Sequence, residues 1–383
     1  MFVPRYLPGY KSGGPIRTVS NMIIHLSPFY DFYVVTRDRD AADIDRYPGI
    51  QADSWNQVGS ASVLYCSSIG VSTLKRAYDE VKPNVINLNS LQDTFTRLAV
   101  QLRWIGFFGK TPVILAPRGE LSIGAMAVKR TKKALYRNFA KLIGLHEKLH
   151  WQVSTQRERE DLVRVAPAWR IHPNTIHEAR DICNEHSSAA PRHLKTPGSL
   201  KLVFLSRISE MKNLHFLLAI IAKVRGDVTL NIFGPVAAKD EAYWQTCRSK
   251  LARLPANISV AYHGSLDHAE VPRVLHEHHF FILPTRGENF CHAAVESFVN
   301  GTPVILSDQT PWLNLDAAHA GFDIRLEDSE SWISVLQKCV DMNQLTYSTL
   351  LEGTLKYSQR FSVEEATRQH VAMFEAALAS VQH

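Results

Sequence analysis

KLVFLSRISEMKNLHFLLAII, residues 201–221, decides how the rest of the chain is read. KLVFLS is a short β-rich run, and after a polar loop Leu214, Leu217, Leu218 and Ile221 fall at i, i+3, i+4 and i+7, one apolar stripe of a helix. A strand followed directly by an amphipathic helix is half of a βαβ unit, and such units build parallel sheets. Downstream the alternation continues through VTLNIFG (228–234), ISVAYHG (258–264), HFFILP (279–284), PVILS (303–307) and GFDIR (321–325), with helices between. Upstream it is less regular, with strands expected at DFYVV (31–35), SVLYC (62–66), NVINL (84–88), PVILA (112–116) and WQVS (151–154). If MFVPRYLPGY holds a further strand, only Met1 to Val3 remain for it, which leaves room for residues upstream.

Composition agrees with two cores. The chain has 383 residues, 45% hydrophobic and 21% charged, which is globular and excludes fibrous or disordered classes. At roughly 150 residues per domain that length predicts two doubly wound α/β domains. The Ser-, Ala-, Pro- and Gly-rich stretch 184–200 reads as a linker. Two helical patterns follow residue 344, and the last, 362–379, opens with Ser362 and Glu365 at capping-box spacing.

Five cysteines, Cys66, Cys183, Cys247, Cys291 and Cys339, form no CxxC pair and no metal-ligand spacing, which fits a reducing compartment. No basic-then-apolar leader opens the chain, and runs such as WIGFFG are far shorter than the ~20 residues that cross a bilayer. The expectation is a cytoplasmic protein, soluble or peripheral. The net charge is +6, but residues 1–170 carry 24 Lys and Arg against 14 Asp and Glu. Much of that excess lies in 129–150, where Leu135, Tyr136, Phe139, Leu142 and Ile143 recur at helical spacing among Lys129, Arg130, Lys132, Lys133, Arg137, Lys141 and Lys148. This basic amphipathic helix either covers its own domain with a solvated face or docks on an anionic membrane surface. No zinc knuckle, helix-turn-helix or aromatic-interleaved basic tract points to nucleic acid.

Three constellations carry chemistry. In GENFCHAAVE, Glu288 and Glu296 are separated by seven residues just after a buried strand, with a helix expected to begin near Asn289. Two carboxylates then flank a helix N-terminus, whose free N–H groups and dipole attract an anion. In FLSRISEMKN, Arg207 stands at a strand's carboxyl end and Lys212 just before the next helix, the edge where open α/β sheets bind ligands. In YKSGGPIRT, Gly13 and Gly14 precede a helix with Pro15 in its first turn, which lets backbone approach a phosphate closely.

In this order and at these positions the three motifs resemble the GT-B glycosyltransferases of the retaining family often called family 4. The HPNT turn at Pro173 and Asn174, the Phe233-Gly234-Pro235 turn, the Tyr262-His263-Gly264 strand end and a closing helix extend the resemblance over most of the chain. ILAPRGELS (114–122) and SDQTPW (307–312) are similar to branches that build bacterial surface polysaccharides. The resemblance implies two Rossmann-like domains facing across a cleft: an acceptor-side domain, 1–175, a donor-binding domain, 176–361, and a helix, 362–383, crossing back. It implies retaining transfer of a sugar from a UDP- or GDP-sugar to a hydroxyl of a glycan or lipid-linked glycan. Arg207 and Lys212 are then expected on the diphosphate, Glu296 on the ribose and Glu288 on the transferred sugar. Gly234, Gly264, Asn289, Phe290 and Cys291 would line the donor pocket, with Gly13, Gly14 and Arg118 contributing from the first domain. Neither a cofactor nor a metal is expected, because fixed cations neutralise the phosphates. Many relatives have Gly at the position of Cys291 and His at that of Arg118. The alternatives are a sugar-nucleotide epimerase of the same architecture and a non-catalytic nucleotide-sugar or membrane binder. The triplets Asp38-Arg39-Asp40 and Asp43-Ile44-Asp45 resemble a cation-binding DxD but read as a solvated loop, and His276, His278 and His279 read as packing groups.

Overall fold

The computed structural model describes residues 1–383 except 12, 42, 123–139, 184–193, 382 and 383. The chain divides into two compact units, Met1–Ile182 with Glu364–His383, and Cys183–Val363.

In the first unit, β1 (Phe32–Arg37), β2 (Trp55–Val58) and β3 (Ala61–Cys66) form a sheet ordered β1-β3-β2, and β4 (Ile86–Asn89), β5 (Val113–Ala116), β6 (His150–Val153) and β7 (Ile176–Glu178) one ordered β4-β5-β6-β7. Phe2 bridges both, parallel to Val35 of β1 and to Leu88 of β4. The expected first strand is therefore that single bridged residue, with Val3 N–H donating to Val35 O and Asn89 N–H to Phe2 O. All pairings are parallel except β2 with β3. β4, β5 and β6 are buried throughout, as strands covered on both faces are. Edge strands β2 and β7 were not expected, since WNQV and IHE are part-exposed and carry no apolar run. Because β7 adds to β6, the unit boundary falls after Ile182 and not at 175, and the other boundary falls at 363/364 against the expected 361/362.

Among the described residues the helices with defined bounds are α1 (Gly14–Leu26), α2 (Val71–Val81), α3 (Thr94–Trp104) and α4 (Gln156–Trp169). Half of the basic stretch 129–150, residues 129–139, lies outside the described residues; where it resumes, 140–142 are helical, but Gly144 takes φ 63 and His150 opens β6, so the helix does not reach residue 150. Leu142 is exposed, not part of an apolar stripe.

The second unit is one six-stranded parallel sheet. Its strands are β8 (Ser199–Leu205), β9 (Asp227–Phe233), β10 (Ile258–Tyr262), β11 (Phe280–Leu283), β12 (Val304–Ser307) and β13 (Gly321–Ile324), in the order β10-β9-β8-β11-β12-β13. Between them run α5 (Leu214–Ile221), α6 (Glu241–Leu251), α7 (Val271–His276) and α8 (His292–Val299), followed by α9 (Ser329–Asp341) and α10 (Gln344–Ser358). Leu214, Leu217, Leu218 and Ile221 are all buried, as their spacing requires. The expected linker is shorter than 184–200: Lys195 is buried, and its ammonium donates to the carbonyls of Thr196, Val340 and Met342, satisfying the end of α9. The chain leaves β8 for β9 and β10 on one side and returns to β11 on the other, so the strand order reverses between β8 and β11. In open α/β sheets ligands bind outside the carboxyl ends at such a point.

The last helix, α11 (Val363–Ala379), packs on the first unit through Met373, Phe374 and Ala377. His370 lies within hydrogen-bonding distance of Gln152 Nε2 (3.2 Å), and His150 bridges His177 (3.0 Å) and Ser380 Oγ (3.0 Å). Burial lowers His370 and His150 to about 4, with His177 adding to the effect on His150. Both are neutral when folded, whereas the unfolded chain takes up protons near pH 6.5. Stability is thus expected to be level above about pH 6.5 and to fall between there and pH 4. Melting curves across that range check it, and His370→Gln should flatten the slope.

Candidate functional site

The loops after β8 and β11 occupy the carboxyl edge at the reversal point and are stitched together. Arg286 N–H donates to Met211 O (2.8 Å), Thr285 Oγ1 to Met211 O (3.1 Å), and Arg286 Nη1 pairs with Glu210 (2.9 Å). Ser307 Oγ in turn donates to Thr285 O (2.6 Å), and Glu288 N–H to Gln309 O (3.0 Å). This lacing brings Lys212 onto Glu288, an ion pair whose side chains are 14% and 11% exposed. Neither makes a second hydrogen bond among the described residues, so Lys212 keeps two N–H donors and Glu288 one oxygen for a ligand.

The helix carrying Glu296 starts later than expected, at His292 and not near Asn289. Phe290 holds the segment back: its ring packs against Trp312 (5.4 Å between centroids), and its carbonyl accepts from Trp312 Nε1 (2.7 Å). Cys291 then takes a left-handed conformation, φ 63, as the helix cap. Among the described residues the N–H groups of Phe290 and Cys291 have no acceptor, as in the backbone nests that receive anions. Glu296 is consequently the fifth residue of α8, nearer the N-terminus than two turns, and the half-buried Asn289 sits in the loop.

Cys291 lies among these charges. Burial raises its thiol, Glu288 and then Glu296 push the same way, and Lys212 opposes them, so the group is a neutral thiol. Gly234 ends β9 with φ 142, and a Cβ there would meet Ser206 O at 1.9 Å, so only glycine lets β8 and β9 close at this edge. Its N–H donates to Gly264 O (2.6 Å), joining the edge loops after β9 and β10. Arg207 is exposed beside this crossing and makes no ion pair among the described residues.

One residue at the site was not expected. His268 opens the turn before α7, where Asp267 caps by accepting from Ala269 N–H (3.0 Å), and His268 Nε2 lies 3.0 Å from Glu296 Oε1. Asp267 is a visible turn signal, but nothing in the sequence links His268 to a glutamate 28 positions on.

The remaining expected residues belong to the first unit. Gly13 caps α1 with φ 65, and its carbonyl accepts from Ile16 N–H (3.1 Å); Gly14 is the helix's first residue. Arg118 is 8% exposed with its fork committed inward: Nε and Nη2 donate to Asn89 Oδ1 (3.1 and 2.6 Å), and Nη1 to Asp181 (2.7 Å). Asp181 also accepts from Thr18 Oγ1 (2.7 Å), so Arg118 ties α1 to the ends of β4 and β5.

The DxD reading needs correction. Asp38 and Asp40 are 1% and 3% exposed, not solvated. Asp38 takes Arg39 and Arg46, while Asp40 Oδ2 accepts from the N–H groups of Tyr10 (2.7 Å) and Lys11 (3.0 Å), and Asp43 pairs with Lys11. These carboxylates brace the loop that leads to Gly13. The histidines at the start of β11 are packing groups: His276 meets Asn300 O (3.0 Å), His278 Val274 O (2.5 Å), and His279 Nδ1 accepts from Lys201 N–H (3.0 Å). Among the described residues no cluster of three or more His, Cys, Asp or Glu could hold a metal, the five cysteines are buried, and no helix is long and apolar enough to cross a membrane. A cavity of about 580 Å³ in the first unit, lined by Tyr30, Tyr33, Trp55 and Phe374, lies at the amino ends of β1 and β4.

Residues 188–319, roughly a third of the chain, match the family described as Glycosyl transferases group 1. The D-inositol 3-phosphate glycosyltransferase of Jonesia denitrificans is 25% identical over 182 residues, 45% of this chain. That match spans only 42% of the relative's own length. Among solved structures, Thermosynechococcus elongatus sucrose-phosphate synthase superposes with a TM-score of 0.75 at 15% identity over 96% of this chain and 94% of that one. Anabaena HepE, in complex with UDP and glucose, gives 0.72 at 15% identity over 98% and 100%. WaaG, a glycosyltransferase involved in lipopolysaccharide biosynthesis, gives 0.65 at 11% over 96% and 97%. Residues 188–319 are thus similar to the glycosyltransferase group 1 family, and the chain has the α/β GT-B fold of two Rossmann-like units.

Proposed function

We propose that this protein is a retaining glycosyltransferase that moves a sugar from a nucleoside-diphosphate donor, a UDP- or GDP-sugar, to a hydroxyl of a glycan or lipid-linked glycan. The observation that carries the proposal is the convergence of Lys212, Glu288, Glu296 and the unpaired N–H groups of Phe290 and Cys291 at the reversal point between β8 and β11. Cation and amides suit a diphosphate, and carboxylates on either side suit hydroxyl groups. Glu296 takes the nucleoside's vicinal hydroxyls, and Glu288 the transferred sugar. HepE, bound to UDP and glucose on the same fold, supports a uridine donor, and WaaG supports a role in surface polysaccharide.

In this reading Lys212 spends one N–H on Glu288 and turns the others to the departing phosphate, with Arg207 from the same loop after β8. Each charge-assisted hydrogen bond contributes roughly 1.5–3 kcal/mol, and it acts on charge that grows as the glycosidic bond breaks. A donor phosphate oxygen accepts the acceptor's proton, so no protein base is assigned. Fixed cations carry the neutralisation, and the reaction is proposed to run without a metal. Gly13 and Gly14 are proposed to approach the diphosphate from the first unit. Exposed Lys141 and Lys148 belong to the basic stretch proposed to rest on the inner face of the cell membrane, whose residues 129–139 lie outside the described ones.

Thermal shift of the metal-free protein against UDP, GDP, ADP, dTDP and CMP tests the donor site. A ligand at 100 times its Kd adds about 2.7 kcal/mol of stability. A raised midpoint with one diphosphate, lost in Arg207→Ala, is the expected result; no shift with any nucleotide overturns the proposal.

A further inference from the structure

We infer that His268 is a positioning residue that makes the donor site select ribonucleotides over 2′-deoxyribonucleotides, by holding one oxygen of Glu296 so that the other is fixed for the nucleoside's hydroxyls. The inference rests on the proposed role of Glu296 at the nucleoside. A carboxylate only accepts, so the 3.0 Å contact between His268 Nε2 and Glu296 Oε1 places the hydrogen on Nε2. Oε2 of Glu296 accepts from no described residue and is the oxygen left for a ligand.

Both ends of the contact are rigid. Glu296 rides on α8, whose Ala294, Val295, Ser297 and Phe298 are buried, and its carbonyl is held by Asn300 through N–H (3.1 Å) and Nδ2 (2.8 Å). His268 sits in the turn capped by Asp267 and followed by the buried Val271. The two side chains are only 23% and 14% exposed, which limits the alternative positions of either. A glutamate without such a partner keeps a freely turning carboxylate and loses entropy on binding; one pinned at Oε1 is preorganised. Two vicinal hydroxyls are what a single free carboxylate oxygen, set in a fixed plane, distinguishes from one.

Calorimetric titration of the full chain with UDP and GDP and with their 2′-deoxy counterparts tests this. The wild type is expected to bind the ribonucleotide about 10-fold or more tighter, the range of one hydrogen bond to a charged group. His268→Ala should bring the ratio below about 3-fold, and His268→Gln, which returns an N–H at similar reach, should restore most of it. The ratio compares two ligands differing by one oxygen in the same variant, so general destabilisation does not move it. A ratio kept in His268→Ala but lost in Glu296→Ala overturns the inference and leaves the site standing. A ratio kept in both removes Glu296 from the nucleoside. Absence of binding by either ribonucleotide overturns both the inference and the proposed function.

Discussion

Replacing Lys212 with alanine is expected to lower turnover at least ~100-fold, the cost of losing a preorganised donor to charge that develops in the transition state. The loss should fall on kcat at saturating donor, since the contact strengthens as the diphosphate departs. Two effects act together, because Lys212 and Glu288 are a largely sequestered pair. Its removal withdraws a cation from the phosphate and also leaves Glu288 as an uncompensated carboxylate beside it. Glu296→Ala should lower turnover by a similar factor, for a different reason: it releases the nucleoside end of the donor, whose binding energy orients the reacting bond. Steady-state rates with saturating donor separate the cases, and near wild-type turnover in both variants would remove the site from the β8–β11 edge.

Gly234→Ala is expected to be among the most damaging single methyls in the second unit. The added Cβ would lie 1.9 Å from Ser206 O and 2.5 Å from Ser206 C, both backbone atoms that no side-chain rotation can move. With φ at 142, alanine is strained even before that clash. A cost of at least about 3 kcal/mol follows from backbone strain and overpacking together. For a unit of this size that corresponds to a midpoint lower by roughly 6–12 °C. The same methyl pushes apart the loops carrying Arg207 and Gly264, so nucleotide-dependent stabilisation should vanish with it. Gly264→Ala is the control, since φ is 74 there but nothing lies within 4 Å of an added Cβ. A wild-type midpoint in Gly234→Ala would show that the edge relaxes freely.

The legible and illegible parts of this protein divide along physical lines. The six strands of the second unit were readable because each is a short, apolar-rich run followed by a helical stripe; β11 and β12 are buried throughout, as burial on both faces imposes, whereas the edge strand β10 is apolar in sequence but mostly exposed. β2 and β7 were not, because an edge strand needs no apolar face and shows no period. Glu288, Lys212 and Glu296 could be named because strand ends and helix starts leave local signals. The start of α8 could not be placed, because Trp312, 22 positions away, takes the Phe290 carbonyl and delays it. Asp38 and Asp40 looked solvated for the same reason: Asp40 takes Tyr10 and Lys11, 30 and 29 positions upstream, and Asp38 takes Arg46 from further along its own loop.

By itself, then, the sequence determined that this is an α/β protein of two doubly wound halves, and which loops face the ligand edge, since periodicity and turn residues act over a few positions. Only the tertiary structure decided which charged groups meet there: Lys212 with Glu288, 76 positions apart, Glu296 with His268, and Arg118 with Asn89 and Asp181. A side chain's partner is set by the sheet order that folds distant loops onto one edge, and that order is a property of the whole packed core, with no local signature in the chain.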